Sequence, residues 1–222
     1  EVLLNFAKSK SNIASLQSPT LDYYNHGILD SRGLKVDFYG RAVQLGYREK
    51  FDKSMLSHRI YGVNAAAAIY TRQFLENQPF KSEYLDEEMW MFIEDVDIAT
   101  RALMIGMESW LVTGASAYHM GSASTSKNPG FSVFYSYRNN AYLLYKNFPS
   151  HLLLRMIPLA LFSDIESIYR NLRGRNKVAV KAMVRGRVVS LFNLHKFHSK
   201  RKIMSRSRKI NNSELYSLMR SN

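Results

Sequence analysis

Four consecutive positions, Glu94-Asp95-Val96-Asp97, form the densest group of carboxylates in the chain and directly follow the apolar stretch Met89 to Ile93. Carboxylates so placed can accept a proton from a hydroxyl, bind a cation or satisfy a helix start, and direction separates these uses. On a 3.6-residue repeat Asp95 lies in line with Ile98, Ala99, Ala102 and Leu103, the apolar face, whereas Asp97 lines up with Arg101. Asp97 is therefore expected to form a structural ion pair with Arg101. Asp95 is expected to head toward the interior or a cleft, where burial would raise its pKa and suit it to general-base work; a plain capping role stays open. A second acidic run, Asp86-Glu87-Glu88, reads as a solvated loop. His119 closes an extended segment and offers one ring nitrogen to a metal, or serves as an ordinary polar residue. His195 and His198 sit among lysines and take no role. Trp90 and Tyr61 stand where they could stack on a sugar or a base, or fill a core.

The elements that must position these groups alternate. Asn12 to Leu16 and Leu34 to Tyr39 read as strands, with Asp30 to Gly33 as a turn between them. Arg59 to Tyr70 begins strand-like and becomes alanine-rich, and Thr71 to Asn77 suits a short helix. Glu94 to Ile105 has helical spacing stopped by Gly106, Ser109 to Thr113 and Ala115 to His119 read as extended, and Phe131 to Asn147 as an aromatic-rich helix. The pattern predicts an α/β layered domain over residues 1–149 and an all-helical segment over 150–222.

Charge divides at nearly the same place. The 222 residues carry a formal charge of +13 with 46% hydrophobic residues, enough apolar content for a folded core. Residues 1–166 hold 16 Lys and Arg against 17 Asp and Glu, while residues 167–222 hold 15 against Glu214 alone. A near-neutral body with a basic appendage points to an anionic partner for the appendage. Leu152 to Phe162 is too short to cross a bilayer, which needs about 20 apolar residues. Lys177, Lys181 and Arg185 recur at helical spacing beside Val178, Ala182, Val189 and Phe192, the pattern of a basic amphipathic helix resting on anionic lipid. The alternative partner is nucleic acid, through Lys200-Arg201-Lys202 and Arg206-Ser207-Arg208-Lys209. The 222 residues contain no cysteine, which excludes disulfides, cysteine-bound metals and a thiol nucleophile within them and fits a reducing compartment. Glu1 to Phe6 shows no signal-peptide pattern. Phosphate-loop, dinucleotide-binding, H-E-x-x-H and G-x-S-x-G motifs are not found in this sequence.

The order of the remaining segments resembles the second half of a bacterial family 2 glycosyltransferase of the rhamnosyltransferase-like branch, with a GT-A fold. Gly62-Val63-Asn64-Ala65-Ala66 through Tyr70-Thr71-Arg72 resembles that family's Gly- and Ala-rich strand leading to Tyr-Arg-Arg. Leu85-Asp86-Glu87 through Glu94-Asp95-Val96-Asp97-Ile98 and Arg101 is similar to its Phe-Asp-Glu and Glu-Asp-Val-Asp-Leu-x-x-Arg pattern. Ala115 to His119 with Ser122 to Ser126, and Tyr137-Arg138-Asn139-Asn140 through Lys146-Asn147-Phe148-Pro149, resemble its later segments. Thr71 departs from the family's first Arg, and the family's Asp-x-Asp half is not in this sequence, so the chain is expected to be a fragment with little activity of its own.

The resemblance implies a partial GT-A mixed sheet with helices, followed by the basic helical tail. It implies inverting transfer from a nucleotide-sugar donor to a saccharide or polyprenyl-linked acceptor in surface polysaccharide synthesis, with Asp95 as general base. Glu94, Asp97 and Trp90 would meet the acceptor, and Gly62, Asn64 and Arg72 the donor. His119 would hold a divalent metal, Mg or Mn. The expected location is the cytoplasmic face of a membrane, peripherally bound, with no nucleic-acid partner. The rival readings are a nucleic-acid-binding protein using the basic tail and a non-catalytic scaffold.

Overall fold

The structure is a computed structural model that describes residues 1–80, 83–121 and 129–220. In chain order its elements are α1 (Val2–Lys8), β1 (Ile13–Gln17), β2 (Thr20–Asp22), β3 (Leu29–Ser31), β4 (Leu34–Val36), β5 (Ala42–Gln44), β6 (His58–Ile60), β7 (Ala68–Tyr70), α2 (Arg72–Asn77) and α3 (Glu94–Met104). There follow β8 (Glu108–Leu111), β9 (Ala117–His119), α4 (Pro129–Asn147), α5 (Ser150–Arg173), α6 (Lys177–Asn193), α7 (His198–Ser207) and α8 (Asn212–Arg220). The fold is mixed α/β with several small sheets.

The principal sheet runs β6-β8-β1-β7, with β1 parallel to β8 and antiparallel to β7. Every residue of β1 is buried because both faces are covered. Ile13 and Leu16 pack with Leu3 and Phe6 of α1, while Ala14 packs with Phe74 of α2 and with Ile98 and Ala102 of α3. The β1/β8 pairing continues past Ser18-Pro19 as a second parallel pair, β2 with β9, which joins β3 in a smaller sheet. Asp30 to Gly33, expected as a turn, is divided: Asp30 and Ser31 belong to β3, and the turn itself is Arg32-Gly33.

Local chemistry sets the helix ends. The Thr71 hydroxyl accepts from the Phe74 N–H at 3.2 Å and donates to the Ile13 carbonyl at 2.7 Å, capping α2 and tying it to β1. Gly106, at φ +79°, lets the chain reverse after α3. Gly62 permits a close approach, since a Cβ there would lie 2.2 Å from the Cβ of Ala99 on α3.

The helices beyond residue 149 share the core of the body. Phe197, Met204, Ile210, Leu215, Leu218 and Met219 bury in one cluster with Leu34, Val36, Tyr61, Met89 and Val96. The stripe expected on α6 is corrected. Ala179, Ala182, Met183, Gly186 and Ser190 form its buried face, whereas Val178 and Phe192 are exposed. Gly186 allows that approach, because a Cβ there would meet the Phe134 carbonyl oxygen at 2.7 Å.

Candidate active site at the start of α3

The backbone entering α3 is unusual. Trp90, Phe92 and Ile93 all have positive φ, at 56°, 64° and 69°. For a β-branched residue such as Ile93 this region is costly, on the order of 1–3 kcal/mol, and persists only when surroundings enforce it. The enforcement comes from α4. Asn139 Nδ2 donates to the carbonyls of Met89, Met91 and Phe92, each at 2.8 Å, and Arg138 donates to those of Glu88 and Met89 at 3.1 and 3.0 Å. One buried amide and one guanidinium thus fix the run that delivers Glu94 and Asp95.

Asp95 is partly buried, and desolvation raises its carboxyl pKa above the ordinary value. Opposing this, backbone N–H groups of Val96, at 2.8 Å, of Ala65 and of Asp95 itself favour the ionised form. Burial also raises Glu94, and the neighbouring Asp95 charge adds to it. The Glu94 Oε2 atom and the Tyr70 hydroxyl are buried and have no hydrogen-bond partner among the described residues. Burial pushes the Tyr70 hydroxyl pKa up, and the charges of Asp95 and Glu94 push it the same way, so the phenol lies within electrostatic reach of both acids. The cluster is therefore Tyr70, Glu94 and Asp95, with the 64–65 backbone beside it. Two carboxylates with elevated proton affinity and two unspent polar atoms can take up a proton and orient a hydroxyl-bearing ligand.

Asp97 has a different place from the one expected of an acceptor contact. Its side chain is fully buried, accepts from Lys146 Nζ at 2.8 Å and Asn147 Nδ2 at 2.7 Å, and is ion-paired with Arg101, whose Nε lies 3.0 Å away. The ion pair with Arg101 exists, but inside the protein. Arg101 also reaches Gln78 and the Tyr84 carbonyl. The acidic run at 86–88 is corrected at its first member: Asp86 is buried, paired with Lys146 and, at 2.8 Å, with Lys200. Burial alone would raise the Asp86 pKa, but the two ammonium groups hold it below the ordinary value.

The remaining expected residues are dispersed. Asn64 Oδ1 accepts from Ala66 N–H at 2.9 Å, and its own N–H donates to Gln17 Oε1 at 2.7 Å, so it shapes the loop beside Asp95. Gly62 packs on Ala99. Arg72 stands in solvent with its Nε on Glu76 at 2.6 Å. Tyr61 is core, its hydroxyl bonded to Thr100 at 2.9 Å. Trp90 is 62% exposed, edge-on to Phe131 and Tyr135. With Tyr135, Arg138, Glu83, Glu87 and Glu88 it borders a polar hollow of about 390 Å³, and Ile93 lines a neighbouring one of about 190 Å³. Neither hollow has Asp95 in its wall.

His119 Nδ1 lies 2.9 Å from Asp30 Oδ2, across the β2/β9/β3 sheet. A carboxylate on one ring nitrogen is the usual way to orient an imidazole whose other nitrogen binds a metal. Among the described residues no group of three or more His, Asp or Glu side chains is placed to hold a metal ion. The Ser122 to Ser126 segment lies outside the described residues.

Sequence reasoning missed Tyr70 as a member of the cluster and the role of Arg138 and Asn139 as its clamp. The only signal for the clamp was the Arg-Asn pair within an aromatic helix. No family model, curated protein or solved structure matches this chain.

Proposed function

We propose that this chain is the acceptor-side part of an inverting GT-A glycosyltransferase, in which Asp95 removes the proton of an acceptor hydroxyl. As that oxygen bonds to the anomeric carbon of a nucleotide-sugar, the nucleoside diphosphate leaves with the electron pair of the broken bond. The observation that carries the reading is a partly open aspartate of raised proton affinity, delivered by a strained backbone that α4 holds in place. A raised pKa brings a carboxylate nearer to the proton it must take. Glu94 Oε2 and the Tyr70 hydroxyl are buried without a hydrogen-bond partner among the described residues and would meet sugar hydroxyls only once the site opens, and Trp90 offers an exposed ring for the apolar face of a saccharide. The 62–65 loop, in contact with Asp95 through the Ala65 N–H, is the place for the donor. The resemblance implies a divalent metal; His119, oriented by Asp30, fits one ligand position, and no step here is routed through a metal.

The test is sugar transfer by the natural gene product carrying this chain. Asp95→Asn is expected to lower transfer by about 10²- to 10⁴-fold while nucleotide-sugar binding is kept. Undiminished transfer by that variant would refute the role, and loss of both transfer and donor binding would make Asp95 structural.

The tail gives the nucleic-acid reading little support. Lys200 is bonded to Glu83 and Asp86, and Arg201 to the carbonyls of Tyr145 and Phe148, which withdraws both from a nucleic-acid surface.

A further inference from the structure

Helix α5 is apolar on two sides. Leu152 and Met156 face the protein, yet Leu154, Ile157, Leu161, Ile165 and Leu172, at spacings of three, four, four and seven, form an outward stripe that is 40% or more exposed at each position. The stripe is about 27 Å long at 1.5 Å per residue, and in helical projection no Lys, Arg, Asp or Glu falls on it. An uncharged apolar stripe of this length on the outer side of a helix points to an apolar neighbour there. Ile157 and Leu161 also border a groove of about 250 Å³ between α4, α5 and α6, walled by Leu144, Leu153, Ala160 and Leu191. Its few polar groups are internally satisfied, since Arg187 closes on both oxygens of Asp164 at 2.7 and 2.9 Å. Stripe and groove are therefore one continuous apolar surface, with the exposed Leu191 and Phe192 of α6 on its far side.

We infer that this surface seats the protein in one leaflet of an anionic phospholipid bilayer, with the α5 stripe lying along the interface and a lipid acyl chain entering the groove. Charge selects that occupant. Arg173, Arg175, Lys177 and Lys181 are exposed at the α5–α6 turn and the first turns of α6, where the stripe ends at Leu172. Cations beside an apolar stripe suit phosphate headgroups over hydrocarbon. A second copy packed parallel along the stripe would bring the same cations together and be repelled. None of the described helices is long and apolar enough to cross a membrane, so the seat is interfacial. The inference does not depend on Asp95, and its test needs no sugar transfer.

Because the chain contains no cysteine, Leu161→Cys, Leu191→Cys and Arg72→Cys each create a unique thiol for an environment-sensitive fluorophore. With vesicles of phosphatidylcholine and phosphatidylglycerol, labels at 161 and 191 are expected to shift to the blue. They are also expected to be quenched by brominated acyl chains, while the label at 72 is unaffected. Replacing Leu154, Leu161 and Ile165 together by Gln is expected to weaken vesicle binding roughly tenfold or more with unchanged circular dichroism, since more than half of each residue is exposed in the free protein. Binding that vanishes in salt with no quenching at 161 or 191 would overturn the inference. So would a blue shift that grows with protein concentration in the absence of vesicles, which would assign the face to a second copy.

Discussion

Asp95 and Glu94 carry proton affinities set by burial, and this has consequences for both catalysis and stability. A general base must be ionised, so transfer is expected to fall as pH drops through the raised Asp95 pKa. The acid limb of kcat/KM should lie above the range of an exposed aspartate, about 3.9. In stability the sign reverses: a carboxyl whose folded pKa exceeds its unfolded value withdraws stability as pH rises between the two. Asp95→Asn is therefore expected to melt a few degrees higher than the parent at neutral pH, with the gap closing on acidification. Thermal melts at two pH values check it, and a lower Tm for Asn at neutral pH would contradict the burial argument. The inward direction of Asp95 was legible from the helical period alone. The partners of Asp86 were not, because Lys146 and Lys200 lie 60 and 114 residues away and an acidic run in isolation resembles a solvated loop.

At the level of elements, α3 and the run before it act as a unit held by α4. Asn139→Ala removes the three hydrogen bonds its amide donates and the one its Oδ1 accepts from Arg138 Nε, and leaves the carbonyls of Met91 and Phe92 to find other partners, with an expected cost of about 1–3 kcal/mol. Amide exchange at residues 89–93 should accelerate in that variant before the rest of the fold loosens. The α4–α6 contact makes a sharper prediction. Gly186→Ala places a methyl 2.7 Å from a backbone oxygen that has little room to move, and should destabilise by roughly 1–3 kcal/mol in denaturant titration. β1, α2 and α3 with its Gly106 stop followed from spacing and local stop signals, although Thr71, read as the first residue of α2, proved to be its cap. The face of α6 did not. Its buried side is built of Ala, Gly and Ser, which register weakly as hydrophobic, while its larger apolar side chains face outward.

Across the whole molecule, one charged network ties the two halves of the sequence together: Arg101, Asp97, Lys146, Asp86 and Lys200 in turn. Lys146→Met would take one ammonium from two buried carboxylates, leaving Asp86 with Lys200 and Asp97 with Arg101 and Asn147, and is expected to cost about 1–3 kcal/mol. Asp86 is held below its ordinary pKa, so its contribution is present above about pH 3.9 and is lost as pH falls through the lower folded value. Burial would lower Lys200, but bonds to Asp86 and Glu83 raise it, so its contribution holds below about pH 10.4 and is lost as pH rises through the higher folded value. The network's own contribution to denaturation midpoints should be level between those limits, and Lys200→Met should remove its alkaline edge. The basic segment after residue 149 read as an appendage because its charge is conspicuous and its scattered apolar residues are not. Those residues decide when the core can close. Leu34 and Val36 are translated some 180 residues ahead of Leu215, Leu218 and Met219, which complete their surroundings. While the intervening residues are being made, the nascent chain must therefore carry an unfinished apolar face, which leaves it open to misassociation until those side chains emerge.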